Sequence, residues 1–356
     1  MREWIEQPAA GDLPPEKELI NLLLTEDEEL LSCLYARARR MREEHYGRKV
    51  YIRGLIEFTN FCRNNCYYCG IRRDNKQTER YRLSEQQIME CAQEGYFLGF
   101  RTFVLQGGED PWYNTERVER LVRMLKEHFP DCAVTLSVGE CSRETYRRWR
   151  EAGADRYLLR HETADPGHYG MLHPPELSWE NRMRCLNDLK ELGYQVGCGF
   201  MVGSPGQTAA HLARELRFLK EFRPHMVGLG PFIPQKDTKF AQETAGTLSM
   251  TLKCLALVRL ILPDVLLPAT TALGTIAGNG TELGILAGAN VVMPNLTPAE
   301  ERRKYTLYDH KACTGSEAAE GLAELKGRME KIGYYVSAER GDWKGEKNDE
   351  IGRAHV

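Results

Sequence analysis

The chain has 356 residues, 42% of them hydrophobic and 28% charged, with a formal charge of -3 at pH 7. These values match an ordinary globular protein and exclude any global electrostatic pull toward nucleic acid or a membrane surface, so a small-molecule or protein partner is expected, with no nucleic acid and no membrane. The N-terminus, MREWIEQPAAGDLPPEKE, has no basic segment followed by an apolar core, and nowhere do eighteen uncharged apolar residues run together, which makes a cytoplasmic location the expectation.

In chain order, Thr25 with Glu28 three residues later has the form of a capping box. LLSCLYARARRMREEHYG then carries apolar residues at helical spacing up to Gly47, so residues 1–49 read as an N-terminal helical segment. Short β-rich runs follow at 50–58, 101–106, 133–138, 156–160, 195–202, 225–230, 264–269 and 290–294. Amphipathic stretches such as RVERLVRMLKEHF and WENRMRCLNDLKELG separate them, several closing on glycine. Strand and helix alternating through eight units predict an α/β protein with a parallel sheet, read as a complete (β/α)8 TIM-type barrel over 50–300; an open doubly wound sheet is the alternative. Residues 301–356 read as a short C-terminal extension, with the terminal GEKNDEIGRAHV solvated and partly disordered.

Eleven cysteines are an odd number and many for an intracellular chain, so metal binding or burial must account for them. Eight are scattered singly (Cys33, Cys91, Cys132, Cys141, Cys185, Cys198, Cys254 and Cys313) and read as small buried apolar residues. The other three, Cys62, Cys66 and Cys69, have the spacing C-x3-C-x2-C in FTNFCRNNCYYCGIRRDN, directly after the first strand. Structural zinc usually takes two separated C-x2-C pairs, and there is no second pair; three thiolates on one loop suit an iron-sulfur cube that leaves one iron open to an outside ligand.

Active sites of barrels sit on the loops after the strands. After the second run comes LQGGEDP, where Gly107 and Gly108 let backbone approach a ligand and Glu109 offers a carboxylate, although Gly-Gly-Glu alone is often just a turn. The fourth run ends in Arg160, His161 and Glu162, natural at a barrel mouth and also readable as a surface ion-pair cluster. Arg182 could fork onto a carboxylate or simply be solvated, and Gly203, Pro205 and Gly206 form a turn suited to a nucleoside.

The cysteine spacing with an aromatic, Tyr68, before the last cysteine resembles the radical S-adenosylmethionine (SAM) superfamily signature, and Gly107, Gly108 and Glu109 resemble its GGE motif, whose backbone meets the amino group of SAM. EFTNFCRNNCYYCGIRRDN, VLQGGEDP, EAGADRYLLRHETADP, MVGSPGQT, MVGLGPFIPQKDT, PATTALGT and GANVVMPNLTP together resemble the HydE family, radical SAM maturases of [FeFe]-hydrogenase. The resemblance implies one [4Fe-4S] cluster on Cys62, Cys66 and Cys69, with SAM as the outside ligand and reductive cleavage of SAM to a 5′-deoxyadenosyl radical. It implies that Glu162 and Arg182 hold the ribose or amino-acid part of SAM, that Met293 lies near the adenine, and that Arg53, Arg156, Thr270, Thr271, Tyr305 and Tyr308 line an anion-binding substrate cavity. It also implies an organometallic substrate, an iron species carrying CO, cyanide and cysteine, with other hydrogenase maturases and an electron donor such as ferredoxin or flavodoxin as partners. Arg53 and Arg156 lie on strands that should be buried, where an acidic ligand or a carboxylate of the barrel would offset the cost. Many members carry further C-terminal cysteines for an accessory cluster; the tail here has only Cys313, so a single centre is expected. Methylornithine synthase, a lysine mutase, is the nearest rival reading, biotin synthase a more distant one, and a non-catalytic cluster scaffold a third.

Overall fold

A computed structural model describes residues 2–6, 13–311 and 318–345; Cys313 and the terminal stretch beyond Gly345 lie outside the described residues. Runs of β-branched and aromatic residues form short strands wherever both faces can be buried. In chain order these are β1 (Lys49–Ile52), β2 (Gly54–Thr59), β3 (Thr102–Gly107), β4 (Ala133–Ser137), β5 (Arg156–Leu158) and β6 (Gln195–Cys198), then β7 (Met201–Val202), β8 (Met226–Val227), β9 (Gly230–Pro231), β10 (Val291–Val292) and β11 (Tyr335–Ser337).

Strands β2, β3, β4, β5, β6 and β8 pair in that order, all parallel, into a six-stranded sheet. A second sheet pairs β10, β1 and β11, and a two-stranded one pairs β7 with β9. Single parallel bridges join Met226 to Leu266, Pro268 to Val291 and Leu55 to Asn295. The structure therefore shows an α/β fold built on a six-stranded parallel sheet. The run at 264–269, expected as a regular strand, is only bridged, because Pro268 has no N–H to give to a ladder. Three other runs split: the first at Arg53, where the chain changes partners from β10 and β11 to β3, and those at 195–202 and 225–230 where the backbones of Gly199 and Gly228 abut.

Side-chain caps start most of the longer helices. Ser84, Asn114, Ser142, Ser178, Thr208 and Thr247 accept a hydrogen bond from the backbone N–H three residues on, starting the helices Glu85–Phe97, Thr115–His128, Arg143–Glu151, Trp179–Glu191, Ala209–Phe222 and Leu248–Ile261. Such a cap contributes about 1 kcal/mol. The expected box at Thr25 and Glu28 is not formed: Asp27 caps the helix Glu28–Tyr46, accepting from the N–H groups of Glu29 and Leu30, while Thr25 ends the preceding helix Glu16–Leu24. A carboxylate at the N-terminus of a helix is favoured over a hydroxyl two residues earlier, because it also meets the helix dipole. These N-terminal helices cover Leu248–Ile261, which is therefore buried almost all round.

Candidate metal centre and ligand site

The loop after β2 carries the three cysteines, and hydrogen bonds to backbone hold its shape. Arg80 donates to four carbonyls of the loop, through Nη1 to Asn60 and Ile71 and through Nη2 to Arg72 and Asn75. Asn60 closes the loop's ends together, donating to the carbonyls of Glu79 and Lys304 and accepting from Tyr81 N–H. Gly70 packs so closely on the carbonyl oxygen of Thr306 that a Cβ would lie 1.9 Å from it.

The cysteine thiols are only partly exposed. Burial pushes all three up, Cys69 to about 12; Cys66 is raised further by both of its neighbours and Cys69 by Cys62. Two cations oppose this: Arg80 draws down Cys62 and Cys69, and Arg182 draws down Cys66. Among the described residues no three His, Cys, Asp or Glu side chains converge as the ligands of one ion do. By the chemistry of the donor set, three thiolates on one loop fit a cube in which each takes a different iron.

The loop after β3 lies against this one. Gly108 approaches so closely that a Cβ there would be 2.3 Å from the Phe61 carbonyl oxygen and 2.7 Å from Cys62 Cβ. A Cβ on Gly107 would meet Thr59 Cγ2 at 2.7 Å. Glu109 accepts from Arg63 Nε at 3.0 Å and from the backbone N–H of Glu140 at 2.8 Å, and it lies over Gly139, where a Cβ would be 2.1 Å from Glu109 Cγ. Asp110 ties the two loops together, accepting twice from Arg82, at 2.6 and 2.9 Å, and from Thr59 Oγ1 at 2.8 Å.

Beyond β5, Glu162 has a left-handed backbone (φ +66°), which costs a non-glycine residue about 1–3 kcal/mol and persists only where the surroundings impose it. Its N–H donates to Gly199, and its Oε2 is buried without a hydrogen-bond partner. Arg160 Nη2 lies 2.9 Å from that oxygen at an angle that makes an ion pair but no hydrogen bond. His161, expected at the mouth, instead turns away into the wall and is fully buried: its Nδ1 accepts from Gly199 N–H, which leaves Nε2 to donate to Glu215 at 2.7 Å. Arg182 donates through Nε to Glu140 and through Nη1 to the Arg160 carbonyl. Burial lowers its pKa, yet Tyr169 and Glu140 more than reverse this and hold it well above the usual value. Tyr68 is raised by burial, then by Glu162 and Cys66, and its hydroxyl meets His173 Nε2 at 3.3 Å. Tyr68, Cys66, Cys69, Glu162 and Arg182 thus act on one another's charge, so the structure gathers them at one end of the sheet.

The remaining residues divide between two ends. Tyr305 lies near Glu57, Cys69 and Cys62, with its hydroxyl 3.5 Å from Gln106 Nε2. Tyr308 is near Glu57 and Arg160, Thr270 Oγ1 is buried without a partner, and Thr271 is exposed at the start of the helix Thr271–Ile276. Arg53 and Arg156 lie at the opposite end, about 20 Å down the strands from the cysteine loop at the usual rise per residue. They line a cavity of about 10 Å³ with Thr135, Met226 and Leu266. Arg156 pairs with Asp342 of the C-terminal extension at 2.7 Å and donates to Thr102 Oγ1. Arg53 is fully buried, donates only to Met226 Sδ, and leaves Nε and Nη2 unpartnered. Met293 packs on the apolar cluster that includes Leu158, Met226 and Leu266.

Glu140, Arg80, Arg63 and the Glu57–Lys311 pair were not singled out by spacing. Glu140 alone had a usable signal, since it follows β4 at the end where barrel sites form. A cleft of about 630 Å³ beside the site is lined by Arg63, Gly108, Glu109, Glu140, Cys141 and Asn181 among others.

Residues 56–219 match the radical SAM superfamily. The chain is 47% identical over 315 residues to the [FeFe] hydrogenase maturase subunit HydE of Thermotoga maritima, covering 88% of this chain and 89% of that one. It is 32% identical to 3-methylornithine synthase of Methanosarcina acetivorans, covering 83% of each. Its structure resembles a crystal structure of methylornithine synthase with a TM-score of 0.79 at 27% identity, covering 94% of this chain and 96% of that one.

Proposed function

We infer the chemistry from one premise: the chain belongs to the radical SAM superfamily and, within it, to the HydE family of [FeFe]-hydrogenase maturases. It is a radical SAM enzyme of hydrogenase maturation, and its cofactors are a [4Fe-4S] cluster and SAM. The observation that carries the site assignment is the gathering of Cys66, Cys69, Tyr68, Arg182 and a strained Glu162, whose Oε2 pairs with Arg160 but accepts no hydrogen bond, at one end of a parallel sheet.

In our reading Cys62, Cys66 and Cys69 each hold one iron of a single cube. When bound, the cluster and SAM together supply a 5′-deoxyadenosyl radical by one-electron cleavage of the sulfonium. The chain's own residues bind and orient. Gly107 and Gly108 bring backbone up to the amino group of SAM, with Glu109 fixed by Arg63 and Glu140. Glu162 accepts from ribose hydroxyls or the SAM ammonium group. Arg182, anchored by Glu140, has Nη2 left for the SAM carboxylate, whereas Met293, expected near the adenine, packs with Leu158, Met226 and Leu266 at the arginine end. The bridges at Leu266, Pro268 and Asn295 support closure of the sheet into a complete (β/α)8 barrel over 50–300, between a helical segment at 1–49 and an extension at 301–356.

The substrate we propose is the iron species carrying CO, cyanide and cysteine. Thr270, Thr271, Tyr305 and Tyr308, on the cluster side, are the proposed contacts; Arg53 and Arg156, expected in the same cavity, lie too far away to touch the same small molecule, around a cavity of about 10 Å³. Other maturases and a ferredoxin or flavodoxin are the proposed protein partners, in the cytoplasm. Among the described residues no helix is long and apolar enough to cross a membrane.

The test is incubation of the anaerobically reconstituted protein with SAM and dithionite. Release of 5′-deoxyadenosine, lost in Cys66→Ala, is the expected result; conversion of lysine to methylornithine would transfer the chain to the rival family.

A further inference from the structure

We propose that Arg80 is a positioning residue for the cluster: it both sets the shape of the cysteine loop and raises the cluster's reduction potential. The proposal rests on Cys62, Cys66 and Cys69 being the cluster ligands.

Two observations carry it. The first is the guanidinium's use of both terminal nitrogens. Nη1 donates to the carbonyls of Asn60 and Ile71, the latter at 2.8 Å; Nη2 donates to those of Arg72 at 2.6 Å and Asn75 at 3.2 Å. Asn60 lies two residues before the first cysteine and Ile71 two residues after the last, so one planar fork ties the loop's entry to its exit. A lysine ammonium has the charge but not the planar fork that reaches carbonyls on both sides. The second observation is electrostatic. Among the described residues Arg80 forms no ion pair, and its carbonyl partners bring no net charge. The carbonyls that Nη1 grips belong to residues two positions before Cys62 and two after Cys69, which places the charge beside the loop's first and last thiols.

A cube held by three thiolates is anionic and becomes more so on accepting an electron. A fixed cation half-shielded from solvent therefore stabilises the reduced form more than the oxidised form. The neighbouring Arg63 and Arg82 differ in that each is neutralised by a carboxylate, Glu109 and Asp110 respectively.

The experiment is an anaerobic redox titration of the full-length reconstituted protein, followed by electron paramagnetic resonance, for the wild type, Arg80→Gln and Arg80→Lys. Iron content is measured in each, together with the rate of iron release to a chelator. The expected result is a midpoint more negative than wild type in R80Q, a midpoint close to wild type in R80K, and faster iron release in both. A loaded R80Q with the wild-type midpoint overturns the electrostatic role. Should R80Q retain no iron, R80K decides: iron release as slow as in the wild type overturns the positioning role, and faster release supports it. Wild-type protein that binds no iron would instead remove the cluster assignment itself.

Discussion

Gly108 is a position where one methyl group bears directly on the site. With a Cβ only 2.3 Å from the Phe61 carbonyl oxygen, Gly108→Ala must push apart the two loops that form the site. The expected outcome is a folded protein whose reconstituted cluster no longer responds to SAM, measured by the electron paramagnetic resonance spectrum with and without SAM. Arg53 makes the opposite case. It is a buried cation whose pKa is lowered by burial first and then by Arg156, with no hydrogen-bonded carboxylate in reach. Replacing an uncompensated buried charge by a well-packed apolar side chain is commonly neutral or stabilising. Arg53→Met should therefore leave the melting temperature unchanged or raised, with SAM cleavage and binding of a synthetic iron–carbonyl–cyanide–cysteine complex intact. Weakened binding of that complex would bring Arg53 back to the substrate site.

His173 gives a pH dependence. Burial first, then Arg182, holds its pKa near about 3, so it stays neutral while accepting from Tyr68 and donating Nδ1–H to the Tyr169 carbonyl. In the unfolded chain it titrates near the ordinary value of about 6.5. Between the two values the unfolded state binds a proton the folded state refuses, so stability is lost as pH falls, by about 1.4 kcal/mol per unit for this residue. Denaturant midpoints between pH 7 and 5 should fall less steeply in His173→Gln; an identical slope would place the acid sensitivity elsewhere. At this scale the cysteines and the Gly-Gly-Glu turn were legible because local spacing defines them. Glu140 as the partner of Arg182 was not: the pair spans 42 positions and exists only once the loops after β4 and β5 are side by side.

Among the elements, the C-terminal extension departs most from the expectation of a short appendage. Tyr335–Ser337 pairs in parallel with β1, and the residues after it cover the lower end of the sheet. Arg340 meets Asp155, the Arg340 carbonyl accepts from Thr102, and Asp342 pairs with Arg156. Gly341 lies directly on Tyr51, where a side chain would clash. Asp342 is itself 43% exposed, so solvent screens the pair and Asp342→Ala should cost only about 1 kcal/mol, read as a drop of a few degrees in melting temperature. A composition rich in Lys, Glu and Gly hid this, because parallel pairing with a strand nearly 290 residues earlier leaves no local periodicity. The caps at Ser142, Ser178 and Thr208, by contrast, were recoverable from the residues alone, since each hydroxyl stands immediately before an amphipathic stretch.

For the whole molecule, alternation of strand and helix was enough to predict the parallel sheet and to place the chemistry on loops at the ends of its strands. It could not foresee where strands change partners. Arg53, Gly199 and Gly228 break runs that look continuous, because pairing partners and close backbone approach are properties of the assembled sheet. The chemistry at the cysteine end depends on three thiolates of one loop holding a single cube open to SAM. The direct measurement is iron content and the electron paramagnetic resonance spectrum of anaerobically reconstituted, dithionite-reduced protein before and after SAM is added. About four irons per chain, with a spectrum that shifts on adding SAM and both properties lost in Cys66→Ala, is the predicted result. Four irons with a spectrum indifferent to SAM, or about eight irons per chain, would contradict it.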